Sequence, residues 1–466
     1  MYKPTTLSIA LVVLIVIAGT AALPAVKPHA LFSDGAVLQQ GISVPVWGTA
    51  SDYEKVTVKL QEQKLSTTAK NGRWMVRLKP LKAGGPFTMT ISGENTIEVK
   101  NVLVGEVWVC GGQSNMAWPL TRSENSEAAI ASSKDTMLRL FSVPHADLPP
   151  AELKASWVEC GPDTVAGFSA VGYFFGRDLR KALKVPVGLI NTAVGGTPAE
   201  AWTCRRALSS NPELSGIIEQ ARSGKGRPGC LYNGMIAPIL PFAIKGVIWY
   251  QGESNAARAY QYQTLFSAMI RCWREGWGQG DFPFLFVQLA PFRPNLAEGT
   301  WAELREAQRL TASRVPNTAM AVITDVGDEK DIHPVKKEPV GARLALAARS
   351  VAYGHKVVSS GPRFCSMRVV DGKAVLKFEC RGSGLTSPDE KGKVSGFEIC
   401  GEDRKFVPAQ AEIKKCGVIV SSVEVPKPVA VRYGWSNCPT VNLFNKEGLP
   451  ASPFRTDDFP FLTARL

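Results

Sequence analysis

The sequence predicts an α/β domain set between two β modules, its parallel sheet covered by helices on both faces. Two contrasts in apolar patterning carry this. Between Gly105 and about residue 355 the apolar runs are continuous and alternate with helical periodicities, as strands buried on both faces require. On either side the runs are short, alternate apolar with polar, and are punctuated by turn residues, which is the grammar of half-buried antiparallel strands.

Taken in order, the chain begins with a segment outside the fold. Lys3 precedes the almost wholly apolar Leu7 to Ile17, and Ala18-Gly19-Thr20-Ala21-Ala22 offers small residues for cleavage. Residues 1–22 therefore read as a secretory signal peptide, and a secreted or periplasmic protein is expected. Their apolar core is short for a membrane span, and no later run is long enough for one, so stable membrane insertion is not expected after cleavage.

Residues 23–104 form the first β module. Its strands are Val44 to Gly48, Val56 to Leu60, Arg73 to Leu78 and Phe87 to Ile91, separated by Asn71-Gly72 and Gly84-Gly85-Pro86. In the α/β part, residues 105–355, strands are expected at Glu106 to Cys110, Val185 to Thr192, Lys245 to Gln251, Phe282 to Leu289 and Thr318 to Thr324. Helices are expected at Ser169 to Lys184, Tyr260 to Trp273, Trp301 to Arg314 and Pro334 to Tyr353, the last with Pro334 in its first turn. Residues 356–466 return to alternation, at Met367 to Val370, Ala374 to Phe378, Val418 to Val420 and Val429 to Tyr433, and make the second β module.

Composition narrows the function. Over 466 residues, 45% hydrophobic and 20% charged is ordinary for globular domains. The net charge of +13 is spread along the chain, and no nucleic-acid motif accompanies it, so nucleic acid is not an expected partner. Ten cysteines without a C-x-x-C pair suit an oxidising compartment and argue against a zinc ribbon. No P-loop, G-x-G-x-x-G, H-E-x-x-H or G-x-S-x-G pattern occurs, and no cofactor or metal is expected.

In a parallel sheet, ligands sit beyond the carboxyl ends of the strands. Four such ends carry chemistry: Gly112-Gln113-Ser114-Asn115, Val194-Gly195-Gly196-Thr197, Gln251-Gly252-Glu253-Ser254-Asn255, and Asp325 to Asp328 running on to Asp331-Ile332-His333-Pro334. A hydroxyl, glycine N–H donors, an amide, and an acid near a histidine are the parts of an acyl-transfer site. Ser114 is the expected nucleophile. Of the four histidines, His333 alone stands at a strand-to-helix junction on this edge and is the expected base. Asp331 is the nearest candidate to orient it, with Asp328, Asp325 or a backbone carbonyl as alternatives. The oxyanion donors expected are the N–H of Ser114, the N–H of Gly195 or Gly196, and the Gln251 side chain, with Glu253 and Asn255 as supporting residues.

Gly112-Gln113-Ser114-Asn115-Met116, Gly195 to Trp202, Trp249 to Asn255 and Asp331-Ile332-His333-Pro334 together resemble the sialate O-acetylesterase family of SGNH-type hydrolases. The resemblance extends to Phe32-Ser33-Asp34, Val44 to Gly48 and Phe168 to Phe175, and so covers most of the chain. It implies a flavodoxin-like SGNH-hydrolase sheet and a serine esterase removing acetyl groups from O-acetylated sialic acid or sialoglycans, usually at the 9-position. It implies Ser114 as nucleophile and His333 as base. Two positions depart from the pattern: Lys330 stands three residues before the histidine, where many SGNH enzymes carry the acid, and Val194 stands where relatives often carry tryptophan. The rival expectations are an O-acetylesterase for another sugar such as xylan, and a carbohydrate-binding protein with a vestigial site.

Overall fold

One strand organises the molecule. In the computed structural model, which describes residues 25–220, 227–379, 382–389 and 392–465, Thr96–Gly112 (β1) runs through two structural environments without a break. Its first residues alternate between exposed and buried; from Val102 to Gly112 every residue is buried. The first half pairs with Gly84–Ser92 antiparallel and with Val37–Gln39 in parallel, inside the N-terminal module. The second half becomes the centre of the α/β sheet. The change from alternating to continuous burial matches the change from TIEVK to VLVGEVWVC in the sequence. The segment expected to be a signal peptide, residues 1–22, lies outside the described residues.

Beyond β1 the sheet contains Asp135–Ser142 (β2), Val158–Cys160 (β3), Val187–Asn191 (β4), Gly246–Tyr250 (β5), Phe284–Val287 (β6) and Thr318–Ala321 (β7), in the spatial order β3-β2-β4-β1-β5-β6-β7. All neighbours are parallel except β3 with β2, so the sheet is mixed. The five expected strands are all present. β2 and β3 are additional, and their sequences explain why they were not expected: β2 carries Asp135 and Arg139, and the buried Arg139 pairs with Glu159 of β3 and donates to Asn101 of β1.

Helices cover both faces. Trp108 of β1 packs edge-on to Phe175 of Ala170–Leu183 (α1), while Trp249 of β5, pointing the other way, packs against Trp273 of Ala259–Trp277 (α2). Thr300–Arg314 (α3) lies beside α2, and Glu338–Val351 (α4) packs on α1. At the α1–α4 contact a side chain on Gly341 would stand 2.6 Å from Phe174 Cβ, so glycine sets that approach. The last helix starts at Glu338, not at Pro334 as the sequence suggested, and Pro339 takes its first turn. The reason is local: the Val335 carbonyl accepts from both Glu124 N and Lys337 N, holding residues 334–337 as a loop.

The N-terminal module adds the antiparallel sheet Lys27–Pro28, Val44–Thr49 and Arg73–Leu78. Its buried residues belong to the same core as the α/β part. The C-terminal module has two four-stranded antiparallel sheets around a separate core that includes Leu376, Phe378, Ile399, Val418 and Tyr433. Buried Arg305 and Glu303 of α3 tie it down: Arg305 donates to the carbonyls of Ser436 and Asn437, and Glu303 accepts from Thr463 N and Oγ1. Among the described residues no helix is long and apolar enough to cross a membrane.

Candidate active site

The carboxyl end of β1 delivers Ser114. Gly112 has φ +139°, and a Cβ there would lie 2.1 Å from the Tyr250 carbonyl oxygen, so only glycine lets β1 end this close to β5. Gln113 N donates to that same Tyr250 oxygen at 2.9 Å, and a short helical turn, Ser114–Ala117, begins immediately. The Gln113 carboxamide oxygen reaches the N–H groups of Gly252 at 3.4 Å and Ser254 at 3.3 Å. The turn is thus stapled to the end of the neighbouring strand through both the backbone and the side chain of Gln113.

The loop after β4 closes on the serine. Val194 N donates to Gly112 O at 3.0 Å, and a Cβ on Gly195 would stand 3.4 Å from Ser114 Cβ, so the Gly195 backbone lies directly against the serine. Gly196 follows at φ +73° with open space beside it.

His333 comes from the loop before α4, and its Nε2 lies 2.8 Å from Ser114 Oγ. The two residues are 219 positions apart in sequence. Trp118 stacks on the imidazole, with centroids 4.9 Å apart and planes inclined by 17°. Desolvation holds the His333 pKa below its ordinary value; Lys337 acts in the same direction and Asp331 opposes it. The neutral imidazole, the form able to accept a hydroxyl proton, therefore persists to lower pH than in a free histidine.

The three expected acids fall in different places. Asp331 is beside the histidine: its Oδ1 accepts from His333 N at 2.8 Å and lies 3.6 Å from Nδ1, with the side chain 57% exposed. Asp328 instead accepts from the backbone N–H of Lys330 and Asp331, shaping the loop. Asp325 forms a bidentate pair with Arg343 at 2.6 Å and is committed there.

Gln251 differs from expectation. It is fully buried, its Nε2 donates to Asn255 Oδ1 at 2.7 Å and to Thr197 O at 3.3 Å, and its Oε1 accepts from Tyr262. An amide engaged in this way has no hydrogen directed at an oxyanion. It is a strut beneath the loop after β4. Asn255 belongs to the same strut, accepting from Ala199 N at 2.9 Å and donating to Glu200, which Arg258 also holds. Glu253 instead reaches towards the serine turn, accepting from Asn115 Nδ2 at 2.6 Å. Burial pushes its carboxyl pKa up, against its hydrogen bonds and the nearby Lys337 charge. Asn115 also donates to Ile332 O at 2.9 Å, which joins the serine turn to the histidine loop.

Sequence reading did not find Trp118 as the partner of His333, nor Lys337 and Gln113 as supports. Trp118 stands two residues beyond the Gly112-to-Met116 motif; the signal for Lys337 was its place four residues after His333, at the mouth of a helix.

Comparison with known proteins identifies the family. The profile of the family described as "Carbohydrate esterase, sialic acid-specific acetylesterase" matches residues 104–349. The human sialate O-acetylesterase is 31% identical over 461 residues, covering 88% of each chain. The mouse sialate O-acetylesterase is also 31% identical, covering 88% of this chain and 90% of its own. Among solved structures, a carbohydrate acetylesterase from Xanthomonas citri superposes with a TM-score of 0.88 at 43% identity, covering 93% of this chain and 100% of that one. The profile spans more than half of the chain and the relatives nearly all of it, so the protein belongs to the sialic acid-specific acetylesterase family of carbohydrate esterases and is a carboxylic ester hydrolase.

Proposed function

We propose that this is an exported sialate O-acetylesterase, with a preference for the 9-O-acetyl group, working through an acetyl-enzyme. The observation that carries the mechanism is the 2.8 Å contact of His333 Nε2 with Ser114 Oγ on the carboxyl edge of the sheet. Ser114 Oγ attacks the ester carbonyl as His333 takes its proton, giving a tetrahedral oxyanion. His333 returns the proton to the departing sugar hydroxyl, leaving acetyl-Ser114. Water, deprotonated by His333, then releases acetate and regenerates the serine. The N–H groups of Ser114 and Gly195, with Gly196 beside them, hold the oxyanion; each such donor is worth about 3 kcal/mol of barrier. Asp331 steadies the histidine. Glu253 and Asn255 support the turn and the glycine loop, and Gln251 moves from donor to support.

The sheet is read as the flavodoxin-like SGNH type, with residues 23–104 and 356–466 as flanking modules of the catalytic part, 105–355. Export rests on the sequence of residues 1–22. The sialic acid reading rests on the family profile and the mammalian relatives. A second reading, another O-acetylated carbohydrate such as xylan, is favoured by the Xanthomonas citri protein, whose description names a carbohydrate acetylesterase without sialic acid. Acetate release from 9-O-acetylated sialic acid and from acetylated xylan, measured side by side, separates them. Turnover confined to xylan overturns the first reading.

A further inference from the structure

A buried cation lies against the Ser114–His333 pair without taking part in the proton transfer. Lys337 is the residue before α4 and is 1% exposed. An ammonium buried to this degree costs several kcal/mol unless it is well paired, yet among the described residues it forms no ion pair. Its Nζ donates to Asn115 Oδ1 and lies 5.6 Å from the centroids of both the Trp118 and Tyr250 rings. Glu253 and Asp331 attract the charge from the β5 loop and the histidine loop, and His333 is repelled by it. Tyr250 Oη and Glu253 Oε2 are also buried, without a hydrogen-bond partner among the described residues.

Lys337 therefore touches both halves of the site. Asn115, next to the nucleophile, is held on one side by Lys337 and on the other by Glu253, while its remaining N–H grips the carbonyl of Ile332, next to the base. Trp118 has His333 stacked on it and Lys337 Nζ over its ring. We propose that Lys337 is a positioning residue of this esterase, fixing Asn115 and Trp118 around the Ser114–His333 pair and keeping the imidazole neutral by its charge. This rests on the reading of Ser114 and His333 as nucleophile and base. Burial brings the Lys337 ammonium down to about 7, so its charge is itself open to titration near neutral pH.

The test compares Lys337→Met and Lys337→Arg by pH profiles of kcat/KM on an aryl acetate, with Ser114→Ala alongside. Removing the charge relieves repulsion on the imidazolium, so the acid limb of Lys337→Met should move up by roughly half a unit or more. Its kcat on the plateau should fall on the order of 10-fold with KM little changed, because a displaced reacting pair loses near-attack geometry. Lys337→Arg retains the charge and should keep the wild-type acid limb. An unshifted limb and unchanged kcat in Lys337→Met overturn the proposal, as does a Lys337→Arg profile displaced like that of methionine. Activity surviving in Ser114→Ala overturns the underlying reading instead, and is distinguishable because it does not depend on Lys337. Should neither variant fold, ring-proton NMR of His333 in the wild-type protein decides: a second inflection as Lys337 titrates supports the coupling, and a single-step curve overturns it.

Discussion

The two halves of the site are built in different ways. The Ser114 turn is held chiefly by main chain: Gly112 is jammed against Tyr250, Gln113 N bonds the same carbonyl, and Val194 N bonds Gly112 O, with the Gln113 carboxamide as an added staple. The His333 loop is held by side chains: the Trp118 ring, the Asp331 carboxylate and the Asn115 amide. A serine placed by sheet geometry is fixed by packing of the whole domain. A histidine placed by side chains is adjustable residue by residue. Substitutions at the serine turn should therefore be all-or-none, and those around the histidine graded.

The largest effect tests the first half of that contrast. Ser114→Ala should lower kcat by roughly 10⁴-fold or more while the protein keeps its fold by circular dichroism; activity within 10-fold of wild type would remove Ser114 from the mechanism. Gly112→Ala should act on stability, since its Cβ would overlap the Tyr250 carbonyl in a backbone conformation that alanine resists. A loss of about 3 kcal/mol or more in chemical denaturation is expected, and a variant as stable as wild type would mean the turn is not held by main chain.

On the histidine side the effects should be smaller and separable. Trp118→Ala removes the stacked ring and should cost about 10-fold in kcat, with an acid limb altered by the new solvent access. Asp331→Asn should cost less than about 10-fold, far below the roughly 10⁴-fold seen when a buried orienting carboxylate is lost, because Asp331 is half in solvent and lies 3.6 Å from Nδ1. The sign of its pH effect is fixed: Asp331 raises the His333 pKa, so its removal should move the acid limb of kcat/KM down. A loss as large as that of Ser114→Ala would show that Asp331 is an obligate triad member and that the two halves are equally rigid.

Legibility from sequence follows the same division. The strands β1, β4, β5, β6 and β7 were readable because burial on both faces leaves a continuous apolar run. β2 was not, because its buried Arg139 needs a partner, Glu159, that only the folded sheet supplies. The meeting of Ser114 and His333 was readable because both stand at strand ends on one edge of the sheet. Gln251 was misread because nothing in a local pattern says whether an amide points at the substrate or into the core; here Asn255, Thr197 and Tyr262 claim it. The start of the last helix was misplaced because Pro334 is suited to a first turn in general, whereas the Val335 carbonyl is committed to the loop.

The continuity of β1 makes the N-terminal module a ruler for Ser114. Its pairing with Val37–Gln39 and Gly84–Ser92 fixes the strand's register at one end, and Gly112 must emerge beside Tyr250 at the other. Because side chains alternate along a strand, a slip of one residue among those distant partners would carry Trp108 to the opposite face, and in one direction would also bring Gln113, with its Cβ, to the place that tolerates only glycine. Errors in pairing at the module are thereby converted into misfolding of the site, so a chain that has closed its sheet has already set the address of Ser114.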